Sequence, residues 1–569
     1  MKLLKFLLGL VLGCLVLVLP VSQFQPDTLD SVRSLAVQLD GRKKPLDTVA
    51  NETLAKIHGS TTYKTAEGTT EDALTTYLAL WFNTRNWNEE PIVLMSYRPL
   101  KEAVGLDLER KYFTFQELMT NQSLGEIVKQ AHLDELDDKT LDRDAREALI
   151  VEDRLTLLFA SVGDKSLPLV PHPDDIKGTW VSLEEATTLY EPETVAPLLA
   201  EFAMMQQGLL RDFNSHLEMI GQIGTTFKSQ LSELSPTVYP TTATLQREVG
   251  FNHFHPFAKA WQIYALAFVV MLVALWVKPW ELYWGAIGIF SAGIAVNAYG
   301  FWVRMQIAGR PPVTNMYESV VWVGFGIAAI ALVFELVSRS RYYLLAAAPL
   351  SVACLILADS LPAVLDASIS PLVPVLRDNF WLSIHVPTIA LSYASFALAL
   401  GLGHVALGNR LFAPAATGRF KTLSQLNYRV LQVGVLLLTA GIILGGIWAH
   451  FSWGRFWGWD PKETWALIAL LCYLVPLHGR LVGWIGDFGL DVFSVVSFNA
   501  VLMAWYGVNF VLGTGLHSYG FGTGGSGMLI LGVVGLDLLL VAIAAARHYG
   551  WFTQAVASAE LSSAEAQPE

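Results

Sequence analysis

Beyond residue 257 the chain alternates long apolar runs with short polar stretches. About 20 helical residues cross a hydrocarbon core of ~30 Å. Runs of that length lie near 258–277, 281–303, 316–337, 343–363, 381–407, 427–449, 464–483, 490–512 and 526–546. A further apolar stretch runs from Phe6 to about Val21 behind Lys2 and Lys5, so segment 1–22 reads as a signal peptide or an uncleaved anchor. Residues 23–257 are different: polar overall, with helical periodicity in Leu141, Leu149, Leu155 and Leu158, and again in Phe202, Leu209, Phe213, Leu217 and Ile220. Gly41-Arg-Lys-Lys-Pro45-Leu-Asp47-Thr-Val-Ala reads as a turn leading into a helix, and Ser235-Pro-Thr-Val-Tyr-Pro240-Thr-Thr as a linker. The pattern predicts an all-α polytopic membrane protein of about nine spans plus the N-terminal segment. A mainly helical extracytoplasmic segment (23–257) would precede a first span (258–280), a membrane domain (281–546) and a cytoplasmic tail (547–569).

Composition agrees with a membrane protein: 53% hydrophobic, 15% charged, mean hydropathy +0.43. The net charge of −12 is unevenly placed, because 23–257 holds 36 acids against 21 bases while the remainder holds 14 against 17. An acidic soluble part is joined to a slightly basic membrane part, and nothing points to nucleic acid. Basic residues orient the spans. With 23–257 outside, the inner loops hold nine (Lys278, Arg339, Arg341, Arg410, Arg419, Lys421, Arg429, Arg480, Arg547) and the outer loops five (Arg304, Arg310, Arg377, Arg455, Lys462). Cys14, Cys354 and Cys472 all sit in apolar runs and read as small packing residues. There is no Cys-x-x-Cys and no Cys-x-x-Cys-His, which excludes a c-type cytochrome and a thiol–disulfide carrier.

The densest local signal lies in the outer 450–463 loop and the start of the next span: Trp453-Gly-Arg-Phe-Trp457-Gly-Trp459-Asp460-Pro-Lys-Glu463-Thr-Trp465, four tryptophans in thirteen residues. Asp460, Pro461 and Glu463 read as the N-cap, first turn and N3 residue of a capping box. A second cap, Asn315 with Glu318, starts the 316–337 span at the outer face. Capping leaves Trp453, Trp457 and Trp459 unexplained. Flat aromatic faces, glycines that permit close approach and a nearby Arg455 suit a large planar anionic ligand. The spacing Trp-Gly-x-x-Trp-x-Trp-Asp-x-x-Glu resembles the tryptophan-rich "WWD" signature of the haem-handling membrane proteins of cytochrome c maturation.

Six histidines lie beyond residue 260. His385 and His517 fall on the same side as the tryptophans, and two neutral imidazoles can hold haem iron from opposite faces. His478 lies 14 residues into its span, about 21 Å below the outer end at 1.5 Å per residue. An ionisable residue there marks a functional site by default; the alternative is a neutral interhelical hydrogen bond. His404 reads as snorkelling or packing, His450 as an interface residue and reserve ligand, and His548 as surface. His253 and His255 lie just before the first span, near the interface, with a ligand role not favoured.

The order His385, Trp-rich stretch, His478, His517 resembles the CcsA (ResC) half of a system II cytochrome c synthase. Gly41–Thr48 resembles an outer segment of the CcsB (ResB) half of fused synthases. The resemblance implies that haem b is both substrate and bound ligand. It implies external ligands His385 and His517, a porphyrin platform of Trp453, Trp457 and Trp459 beside Asp460, and a membrane ligand His478 whose partner histidine comes from a CcsB-type companion. Arg304, Arg310, Arg377 and Arg455 are the outer cations for the propionates, with Arg455 nearest in sequence to the platform. Apocytochrome c would present Cys-x-x-Cys-His, and thioether bonds would form by proximity, with no acid or base from this chain. The implied location is an inner, plasma or thylakoid-type membrane, in contact with lipid, with 23–257 and the Trp-rich loop outside. Rival readings are a haem exporter without attachment activity, a system I lyase or delivery subunit, and an assembly scaffold.

Overall fold

The computed structural model describes residues 28–65, 68–137, 139, 141–211, 217–277, 280–360, 365–372, 374–512, 517 and 527–550. Segment 1–22 with Cys14, together with Phe213, His216, Lys278, residues 551–569 and all of 513–525 but His517, lies outside the described residues. Among the described residues nine helices are long and apolar enough to cross a membrane. The protein is an all-α polytopic membrane protein, and among the described residues its strands are confined to three short antiparallel pairs. It divides into two compact units, one of residues 28–255 with Ser368–Pro371, the other of Pro256–Ala367 and the chain from Leu372 onward.

In the first unit β1 (Ala36–Leu39) and β2 (Arg42–Pro45) form a hairpin. Its turn residues Asp40 and Gly41 both take positive φ, 51° and 74°, the geometry that Asp-Gly favours in two-residue turns. The turn expected at Gly41 is therefore followed by a strand, and helix α1 (Leu46–His58) begins only after it. Four residues of alternation are too few to announce a strand beside the stronger helical period. Further helices include Arg143–Ser161, Pro192–Arg211 and Leu217–Leu234. The proline-flanked stretch expected to be a linker is packed instead: Val238 and Tyr239 are buried, and the Tyr239 hydroxyl accepts from the Ala36 N–H at 3.0 Å.

The polar residues of the hairpin and of α1 fasten helix α2 (Thr242–Phe254). Arg42 donates to both Glu248 carboxylate oxygens at 2.9 and 2.8 Å, and Thr48 to Glu248 at 2.8 Å. Buried Asp47 accepts from Arg33 (3.0 Å) and Asn252 (3.0 Å) and pairs with His253 (3.1 Å). Lys43 donates to the carbonyls of Ile176 and Val238, and Lys44 pairs with Glu52 and Asp40.

The second unit holds α3 (Pro256–Val277), α4 (Trp280–Ala308), α5 (Met316–Ser338), α6 (Tyr342–Ser360), α7 (Asn379–Phe412), α8 (Thr417–Trp453) and α9 (Pro461–Leu481). The eighth span, Asp487–Leu512, is broken. It runs as α10 (Asp487–Val496), α11 (Phe498–Leu502) and a π-helical stretch, Met503–Leu512. Helix α12 (Gly527–His548) follows. The long α7 is the hub, packing against α5, α8 and α10. Phe396 of α7 stacks on Tyr473 of α9 with ring centres 3.8 Å apart.

Several buried charges inside this unit are paired, as low dielectric favours. Buried Arg304 donates to Glu318 at 2.6 Å, tying the end of α4 to the start of α5. Asn315 caps α5 by accepting from the Glu318 N–H at 2.8 Å, while the Glu318 carboxylate accepts from Thr314 N–H. Arg410 meets Asp491 at 3.1 Å. His404 packs against α12, its Nε2 meeting Asp537 at 2.9 Å.

Candidate functional site

Helix α8 ends at Trp453, and Gly454 takes the left-handed conformation that stops it. Six residues later Asp460 starts α9, with the expected capping box complete. Asp460 Oδ1 accepts from the Lys462 N–H at 3.0 Å, and Glu463 Oε2 accepts from the Asp460 and Gly458 N–H groups at 3.2 and 2.8 Å. Two helix ends and the loop between them thus bring Trp453, Phe456 and Trp457 to one place.

There the second unit contains a cavity of about 200 Å³. His385, His517, Trp453, Trp457, Lys462 and Asn509 are among its lining residues, so four of the side chains that sequence analysis selects share one wall. His385 projects from the second turn of α7, and its Nδ1 donates to the Gly441 carbonyl at 2.9 Å. Its ring lies against α8 at Gly445, where an added Cβ would come within 2.5 Å of Cε1; only glycine leaves room for the imidazole. At the neighbouring Gly446 the same test brings Phe456 to 2.6 Å. His517 holds its Nδ1 2.9 Å from Asp460 Oδ1, and Trp453 stands edge-on to it, ring centres 5.1 Å apart. Donation from Nδ1 to an oxygen puts the lone pair of a neutral ring on Nε2. Such a second bond orients histidines that bind metals. Asp460 therefore does two things at once, capping α9 and orienting His517.

The other candidates fall elsewhere. Trp459 (φ 56°) is 70% exposed, edge-on to Trp457, and is not in the cavity wall. Arg455 reaches Glu463 at 3.4 Å and lies over the Trp453 ring, outside the lining. Arg304 is bound to Glu318, and Arg377 donates to the Leu372 carbonyl. His450 is exposed beside Phe451. His478 is remote from the cavity: eighteen residues of α9 separate it from Asp460, roughly 27 Å of helix. It is exposed, its Nδ1 donating to the Leu474 carbonyl, on a helix whose Leu471, Val475 and Leu481 are exposed too. It is not a buried interhelical hydrogen bond within this chain.

Lys462, Trp505 and Asn509 also stand in the lining, beyond the candidates legible in the sequence. Lys462 Nζ donates to Asn509 Oδ1 at 3.2 Å, and Asn509 Nδ2 donates to the Trp505 carbonyl at 2.7 Å. The signal for Asn509 is an amide inside an apolar span. The π-helical winding that aims Trp505 and Asn509 at one cavity leaves no mark in the apolar pattern; such windings recur at functional sites.

A family model described as "Cytochrome C assembly protein" matches residues 313–517. That stretch begins at Val313 and ends at His517, both in the cavity wall, and contains every other lining residue. The chain is 34% identical over 302 residues to the cytochrome c biogenesis protein CcsA of Synechococcus sp. (strain CC9902), covering 47% of this chain and 98% of that one. The chain belongs to the CcsA family of cytochrome c biogenesis proteins. A member from Synechocystis sp. is 32% identical over 325 residues, covering 45% of this chain and 96% of its own. Similarity to protein NrfI of Wolinella succinogenes runs further, 30% over 497 residues and 85% of this chain, yet spans only 53% of NrfI. A solved structure of the cytochrome c haem lyase CcmF matches half of each chain at 16% identity, with a TM-score of 0.35, too loose a likeness to carry an argument. Family membership makes the protein an integral membrane component of cytochrome c assembly.

Proposed function

We propose that this CcsA-family protein carries haem b to an outward-facing site and there supports its covalent attachment to apocytochrome c. The observation that carries the reading is the cavity where His385 and His517 meet, each with Nδ1 held by an oxygen. Two imidazoles so oriented can ligate iron from both faces. Trp453 and Trp457 supply flat apolar surface beside them. A volume of about 200 Å³ is below the ~300–1,000 Å³ of drug-sized ligand sites. A porphyrin therefore seats there with an edge left outside, or with Trp457 displaced.

His478 is a second, separate haem ligand in this reading. Its exposure on α9 matches a site completed by the histidine of a CcsB-type companion, with haem taken up from the cytoplasmic side. The chain acts as the CcsA-type subunit of a holocytochrome c synthase. Residues 28–255 and the Trp-rich loop lie outside, where apocytochrome presents Cys-x-x-Cys-His. Its histidine replaces one of the two iron ligands, and its thiols add across the haem vinyl groups. The cavity wall offers position rather than acid–base chemistry, and holding reactants in attack geometry is the rate device.

The test is attachment itself. The purified chain with its companion is given haem, reductant and an apocytochrome carrying Cys-x-x-Cys-His, and covalent haem is read on a denaturing gel. Attachment that is lost in His385→Ala and His517→Ala supports the synthase. Haem that binds and is never attached makes the protein a carrier, and absence of haem binding makes it a scaffold.

A further inference from the structure

We propose that Lys462 is the residue that receives an anionic edge of the ligand, so that a haem propionate is held by the Lys462 ammonium, braced by Asn509, and not by Arg455. This inference rests on the haem reading above and adds the feature that orients the porphyrin in its plane.

A carboxylate brought into a largely apolar cavity needs a cation or several donors. Among the described residues that line the cavity there is one lysine and no arginine. None of the four arginines that sequence position recommends is in that lining. Arg304 is buried against Glu318, and Arg455 serves Glu463. Gly458 marks how tightly Arg455 is seated, since a Cβ there would lie 1.4 Å from Nη1. The one carboxylate in the lining, Glu463, is met by two backbone N–H groups as well as by Arg455. Its charge is thus answered within the loop.

Lys462 is held in place from both sides. It occupies the second position of α9, directly after Pro461, so its backbone is fixed by the cap that also orients His517. Its Nζ meets the Asn509 side-chain oxygen at 3.2 Å, and the Asn509 amide is itself anchored to Trp505. Trp505 in turn donates to Ser319 of α5 at 2.9 Å. A cation, a bracing amide and two imidazoles therefore face one space. The ligand class they select is a planar metal chelate with a carboxylate on its edge.

The experiment compares haem with haem dimethyl ester, whose propionates carry no charge, by titrating each into the detergent-purified full chain. Wild type is expected to favour the free acid by roughly ten- to a hundredfold, the worth of one hydrogen bond between charged partners. Lys462→Met should bring the two affinities together, Lys462→Arg should restore the preference, and Arg455→Met should keep it. The ester comparison on wild type needs no variant and so does not depend on whether a variant folds. If wild type binds both porphyrins equally, or Lys462→Met discriminates as wild type does, the assignment of Lys462 is overturned while the haem reading stands. If wild type binds neither porphyrin, both are overturned.

Discussion

Two stretches of this chain carry dense, charged motifs, and the structure uses them in opposite ways. In Gly41–Thr48 the charged side chains are all spent within their own unit. Arg42 grips Glu248, Lys44 grips Glu52, and Asp47 is enclosed by Arg33, Asn252 and His253. In Trp453–Trp465 the charges of Asp460, Glu463 and Arg455 cap and brace the loop, while Trp453, Trp457 and the Asn509-bound Lys462 line a cavity with two histidines. The first motif closes on itself and fixes a shape. The second uses its polar residues as scaffolding to hold an opening. A charged motif is thus informative about ligands only after its internal partners are subtracted.

The comparison breaks most visibly at Asp47. Asp47→Ala leaves Arg33 buried beside fewer counter-charges and should cost about 3–5 kcal/mol, the effect of halving a buried pair. Thermal unfolding of the full chain would show it, and the haem spectrum of the surviving folded protein should not change. An unaltered melt would mean that the closed motif is not structural. At the other motif, Asp460→Asn keeps an N-cap but removes the charge facing His517. Losing such a second-shell partner costs roughly 10–100-fold in metal affinity, so weakened iron binding at near-normal stability is expected in a haem titration. Gly445→Ala drives a methyl into His385, and overpacking of that kind costs about 1–3 kcal/mol. It should disturb the haem spectrum through His385, and combined with a His517 variant its effect should be less than additive, because both act on one iron. Smallest of all, Trp459→Ala should leave haem affinity within about twofold, since exposed side chains away from such features change energies by ±0.5 kcal/mol or less, whereas Trp457→Ala should lower it measurably.

Acid offers another way to separate the two motifs. Burial works to raise the Asp47 carboxyl, but the bonds and charges of His253, Asn252 and Arg33 outweigh it and hold it below the usual carboxylate range. A depressed folded value means stability that is present above the unfolded value, about 3.9, and is lost as pH falls through the folded one. Wild type should therefore lose stability below about pH 4, and Asp47→Asn should flatten that part of the curve. An identical acid limb in the two proteins would remove Asp47 from the account.

Much of the membrane architecture is legible in the sequence because a bilayer imposes a long apolar period that nothing else imitates. The capping box of Asp460 and Glu463 is legible for a similar reason: its chemistry is local. His385, His517, Trp453 and Trp457 are found through a motif and its order, and the fold brings all four to one cavity. What escapes is decided at a distance. Trp459 shares the motif, yet a left-handed backbone turns it outward. Arg455 sits among the tryptophans, yet Glu463 claims it. Lys462 and Asn509 lie 47 residues apart, and nothing local to either announces the other. The short β1–β2 hairpin is hidden because four-residue strands leave too little pattern.

The central claim is that His385 and His517 form one iron site and His478 another. The most direct measurement is the absorption spectrum of the detergent-purified protein with its companion, wild type beside His385→Ala, His517→Ala and His478→Ala. The account predicts a low-spin six-coordinate haem that is lost or altered in each of the two outer variants, and a fall in total haem in the His478 variant. Haem content and spectrum unchanged in all three variants would contradict it.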